Sequence, residues 1–111
     1  MSHFVLKLLP PRPSFPADLT EEERKLMDAH VTYWGDLVES EHALVFGPVF
    51  DPNGLYGLAI LKAADEQEAR AISSRDPATE AGHGFRYEIH LMQAATRPDV
   101  VAARSKERLD G

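Results

Sequence analysis

Apolar and polar positions along the chain fall into two periods, and their order predicts the fold. The stretch from His3 to Leu9 (HFVLKLL) reads as a first strand. It stops at PPRPSFP, where four prolines in seven residues forbid regular hydrogen bonding and predict an extended loop. Thr20 with Glu23 three residues on forms a capping box, and Glu21 and Glu22 add favourable charge at the positive end of the helix dipole. In the helix that starts there, Leu26, Met27, Tyr33, Trp34, Leu37 and Val38 fall on one stripe at the helical repeat. His30 lies near the middle of that stripe.

ALVFGPVF from Ala43 predicts a second strand, and DPNG from Asp51 to Gly54 turns the chain back into LYGLAILK as an antiparallel hairpin. Asp65 with Glu68 repeats the cap signature and opens a second helix to about Arg75, where Pro77 disfavours helical geometry at Asp76. A short helical turn to Gly82 is expected next. FRYEIHLM then alternates Phe85, Tyr87, Ile89 and Leu91 against Arg86, Glu88 and His90, which is the period of a fourth strand. The charged segment from Thr96 to Gly111 reads as a tail, a frayed helix or a disordered segment, beyond a single domain over residues 1–95.

The order is β-α-β-β-α-β. Two right-handed crossovers in that order give an α+β, ferredoxin-like arrangement: a four-stranded antiparallel sheet with both helices on one face. Leu44 to Phe46 and Leu58 to Leu61 are apolar on both faces, whereas a sheet solvated on one side alternates. A second copy packed face to face is the simplest cover, so a homodimer through the open sheet face is expected.

Composition narrows the partners. The chain has 111 residues, 43% hydrophobic and 27% charged, which is globular composition. A net charge of -6 repels a phosphate backbone, so neither nucleic acid nor an anionic membrane is an expected partner. There is no cysteine, which removes thiolate catalysis, disulfides and Cys-based zinc sites. The apolar run from Phe4 to Leu9 is shorter than a signal-peptide core or a membrane span, and a soluble, cytoplasmic protein is expected.

Read from the residues alone, each candidate carries two meanings. His30 is either a packed core histidine or a proton carrier, since an ordinary imidazole pKa of about 6.5 permits exchange near neutrality. Asp76 before Pro77 is the N-cap and N1 pairing of a short helix, yet it also lies one turn beyond Ile72 on the inward side of the second helix. Gly47 and Pro48 bend the second strand by bulge or break, or let a ligand approach the backbone. Arg12, flanked by prolines, is a surface arginine or an anion anchor. Tyr33 and Trp34 are core or a ligand platform. His3, His42, His83 and His90 show no metal-ligand spacing, and no metal is expected. His83, between two glycines, could sit over a pocket mouth. Ser14, Ser40, Ser73 and Ser74 carry no nucleophile elbow.

HVTYWGDLVESEHALVFGPV, the hairpin ending GLYGLAILKA, ADEQEARAISSRDPATEAG and the closing aromatic strand together resemble the YciI-like (YCII-related) family from about His3 to Ala95. That resemblance implies a dimeric α/β barrel. It also implies an active-site pair at His30 and at Asp76 of the RDP motif, with acid/base chemistry on small metabolites in a cleft between helices and sheet. The loop from Pro10 to Pro16 is longer, and the tail after Ala95 extends further, than in commoner members. On these grounds the expected protein is a small enzyme without cofactor, a lyase or hydrolase, using His30 and Asp76 on a small molecule bound by Arg12, Trp34, Gly47 and Pro48. The alternative is a non-catalytic dimeric module that binds a small ligand or a partner.

Overall fold

The computed structural model describes residues 1–95, so the proposed tail from Thr96 to Gly111 lies outside the described residues. Seven elements follow in order: β1 (Ser2–Leu9), α1 (Glu21–Glu39), β2 (Ala43–Val49), β3 (Tyr56–Ala63), α2 (Glu66–Ser74), α3 (Pro77–Glu80) and β4 (Arg86–Met92). The strands form one antiparallel sheet ordered β2-β3-β1-β4, the ferredoxin-like arrangement.

Alternation along β1 selects the core face. Phe4, Leu6 and Leu8 are buried, and they stand opposite Leu61, Ala59 and Gly57 of β3. Trp34 of α1 and Ile72 of α2 close this layer. Leu6 and Leu61 are fully buried, each side chain contributing roughly 1.5–3 kcal/mol of transfer free energy. Gly57 is small because a Cβ there would come within 3.3 Å of the Leu8 Cβ.

Local caps behave as the residue types dictate. The Thr20 hydroxyl accepts from the Glu23 N–H at 3.1 Å, and the Glu23 carboxylate accepts from the Thr20 N–H at 3.0 Å. Asp65 caps α2 by accepting from the Glu68 N–H at 2.8 Å. The second helix, expected to run to about Arg75, stops at Ser74, and Asp76 caps the one-turn α3 that follows.

Two expectations are corrected. Gly47 and Pro48 do not bend or break β2: they pair regularly with Leu58 and Gly57, and the register shift falls earlier, between Ala43 and Val45. β2 is an edge strand, where a proline lacking its N–H is tolerated. Leu91, expected inward, is 72% exposed, because β4 is the opposite edge and the short α2 does not reach over its end.

The proline-rich loop is held by charge. Arg12 donates from Nε to Asp18 at 2.9 Å and from its two terminal nitrogens to Glu23 at 2.6 and 2.8 Å. A further donation goes to the Asp18 carbonyl at 3.0 Å. Glu23 is thereby buried with a partner, and the loop carries Phe15 inward to pack edge-on against Phe85 at 5.3 Å between ring centroids.

Hydrogen bonds from Arg12 and Ser14 hold the Asp18 carboxyl down to about 2, and those from Arg12 and the Thr20 backbone hold Glu23 to about 2. Their ordinary values are 3.8 and 4.5, so the unfolded chain binds protons that the folded one refuses. This contribution to stability is complete above about pH 4.5 and is lost as pH falls toward 2. Arg12→Gln is therefore expected to flatten the rise of Tm between those limits. Unchanged slopes in thermal melts across that range would show that the ion pairs do not couple to folding.

Candidate functional site

The chemistry gathers around one carboxylate. Asp76 has no exposed surface, and the turn between α2 and α3 points its side chain into the interior. Oδ1 accepts from the Ala78 N–H at 2.9 Å, the capping bond expected of Asp before Pro. Oδ2 accepts from His30 Nδ1 at 2.7 Å, from Trp34 Nε1 at 3.1 Å and from the Tyr87 hydroxyl. The two roles weighed for Asp76, helix cap and neighbour of His30, are thus filled by different oxygens of the same group.

Each donor arrives by the regularity of its own element. His30 and Trp34 are four residues apart on α1, one turn on the same face. Tyr87 is on the inward register of β4, opposite Leu8. Tyr33 adds a clamp by donating its hydroxyl to the Ile72 carbonyl in the last turn of α2.

Burial alone would push the Asp76 carboxyl up, but the hydrogen bonds from His30, Tyr87 and the Ala78 N–H outweigh it, and the group stays below the ordinary carboxylate range. It is an anion with four donors. Tyr87 is displaced the other way: burial and the adjacent Asp76 charge both hold its hydroxyl protonated. Its oxygen accepts from Trp34 Nε1 at 2.9 Å, so Tyr87 receives on one side and donates on the other.

That geometry assigns the histidine proton. An ionised carboxylate can only accept, so Nδ1 of His30 carries a hydrogen and Nε2 of the neutral ring is a lone pair. Among the described residues no hydrogen bond occupies Nε2, and His30 lines a cavity of about 210 Å³ between α1 and the sheet. Met27, Val31 and Trp34 form the α1 wall, and Phe46, Gly47 and Pro48 form the β2 side. Phe15 and Phe85 close the end under the proline-rich loop. Val31 is 54% exposed and stands at the mouth.

Of the residues singled out in the sequence, His30, Trp34, Gly47 and Pro48 share this cavity, with Asp76 directly behind the imidazole. Arg12 does not join them. Its guanidinium is taken by Asp18 and Glu23, and it faces an adjoining open groove. His83 is also elsewhere, 3.3 Å from Glu22. Among the described residues no His, Asp and Glu side chains cluster as a metal site.

Sequence reasoning passed over Tyr87 and the indole N–H of Trp34 as polar partners. The available signal was that a tyrosine on an inward strand position and a tryptophan on a buried stripe each bring a donor that needs an acceptor. Phe15 was hidden by its place in a loop.

The family model described as the YCII-related domain matches residues 4–93, and the chain belongs to that family. No curated protein matches it.

Removing the common acceptor should be the costliest polar substitution in the molecule. Asp76→Ala leaves the donors of His30, Tyr87 and Ala78 without their acceptor, takes one of two acceptors from Trp34, and is expected to lose about 3 kcal/mol or more. Tyr87→Phe removes one donor and one acceptor and should lose about 1–2 kcal/mol. Denaturant titration checks both, and a loss below that of Tyr87→Phe for Asp76→Ala would contradict the four-donor description.

Proposed function

We propose that this member of the YCII-related domain family is a small, cofactor-independent, cytoplasmic enzyme in which His30 handles a proton of a small metabolite and Asp76 orients it. The observation that carries this is the pairing of a buried carboxylate with Nδ1, which leaves Nε2 as a base facing an open cavity. A core histidine satisfied by a carbonyl would have no need of a buried anion behind it.

The chemistry runs as follows. Nε2 takes a proton from a weakly acidic C–H or O–H of the substrate, and the imidazolium so formed is stabilised by Asp76 across Nδ1–H. Nε2 then returns that proton to carbon or to a leaving group, which restores the neutral ring. Isomerisation, elimination and hydrolysis with an added water all fit this cycle. Trp34 and Tyr87 hold the carboxylate in place by their own hydrogen bonds, so the base keeps one tautomer.

The homodimer belongs to the same proposal. Val5, Val45, Leu58 and Ile60 are on the face of the sheet away from the helices, and Val45 is 54% exposed. Lys7 and Lys62 flank them on neighbouring outward positions, so an apolar strip with a charged rim is open for a second copy. No described helix is long and apolar enough to cross a membrane.

Compact compounds with an acidic C–H, incubated in deuterated water and followed by NMR, test the catalytic reading. The wild type is expected to exchange or convert at least one, His30→Gln to lose this, and Asp76→Asn to be slower by roughly 10²–10⁴-fold while remaining folded. Conversion that persists in His30→Gln overturns the proton-handling role of His30, and binding without any turnover in the wild type leaves a non-catalytic ligand-binding module. For the dimer, sedimentation should give twice the chain mass, and Ile60→Glu should give the monomer. A wild type that sediments as a monomer at micromolar concentration removes that part.

A further inference from the structure

The cavity beside His30 selects by charge as well as by size. We propose that it takes the neutral form of a compact, largely apolar molecule about as large as one substituted six-membered ring, which offers a single hydroxyl or other weakly acidic hydrogen to Nε2, and that it rejects carboxylates and phosphates. The inference rests on the reading of His30 as proton acceptor and adds the substrate class.

Size comes first. A cavity of about 150 Å³ lined by apolar side chains accommodates benzene, so the 210 Å³ here has room for one ring and small substituents. Phe15 and Phe85, in edge-on contact at 5.3 Å, form part of its wall.

Charge decides the rest. No Lys, Arg, Asp or Glu lines the cavity. The polar atoms of Trp34 and Tyr87 are already bonded to each other and to Asp76. Tyr56 is at the rim shared with the outer groove, with the Lys7 ammonium 4.4 Å over its ring. That leaves Nε2 of His30 as the polar side-chain atom a ligand meets inside.

Nε2 is an acceptor, so the matching ligand atom is a donor. A bound anion would instead require the imidazolium, and the site would then hold two negative charges, the ligand and Asp76, against one positive. Arg12, the cation that could have balanced them, is bound to Asp18 and Glu23. Removing an anion from water into such a place is strongly unfavourable.

Ligand-observed NMR titration with phenol, anisole and benzoate at about pH 8 tests this, since phenol with a pKa near 10 stays neutral there while benzoate is an anion. Phenol is expected to bind saturably, about fivefold or more tighter than anisole, which lacks the donor, and about tenfold or more tighter than benzoate. The phenol-to-anisole ratio should fall to about one in His30→Leu, and Val31→Trp at the mouth, an exposed position that leaves the core intact, should weaken all three. Benzoate binding as tightly as phenol, with dependence on His30, overturns the neutral-ligand inference and leaves the proton-handling reading standing. A phenol preference that survives His30→Leu overturns the acceptor role of His30 itself. No saturable phenol binding, or binding unaffected by Val31→Trp, overturns the inference outright.

Discussion

One buried anion organises this protein. Asp76 collects donors from α1, α3 and β4, so a single carboxylate joins a helix, a helical turn and an edge strand. A buried charge is tolerated only when its hydrogen-bonding capacity is filled, and here every oxygen has a partner. Any displacement of α1 relative to β4 would strip donors from a group that has no water to replace them. The position of His30 follows from that requirement.

The same arrangement divides the interior into a polar knot and an apolar chamber. Trp34 belongs to both: its N–H faces Asp76, and its ring is part of the cavity wall. Placing the anion behind the imidazole, rather than beside the ligand, means that the negative charge acts through the histidine. It does so without offering a ligand a charged surface. The second ion network, Arg12 with Asp18 and Glu23, works at a distance from this, by holding the loop that brings Phe15 down as the end wall.

Membership of the YCII-related domain family accounts for the scaffold but not for the chemistry specific to this chain. The long proline-rich loop gives the cavity its closed end. The sheet face opposite the helices keeps an apolar strip around Ile60 that a helix layer on the other side does nothing to cover.

The elements and their order were legible from periodicity and caps. Thr20 with Glu23, Asp65 with Glu68, and the alternation of β1 each act within a few residues, so local chemistry decides them. His30 on the apolar stripe and Asp76 before Pro77 could be singled out, though the residues by themselves left core packing and capping open as meanings. The exposure of Leu91 is not legible there, because alternation tells which face a side chain takes, not whether an element lies over it. Pairing was beyond local reading. The contact between His30 and Asp76 spans 46 positions of sequence, and the engagement of Arg12 by Glu23 depends on how a proline-rich loop folds back over a helix start. Hydrogen-bond partners are chosen by distance in space, which periodicity does not encode. The sequence by itself determined which segments are helix and strand and which face each buries; only the tertiary structure decided that one carboxylate would take four donors and leave an imidazole nitrogen free.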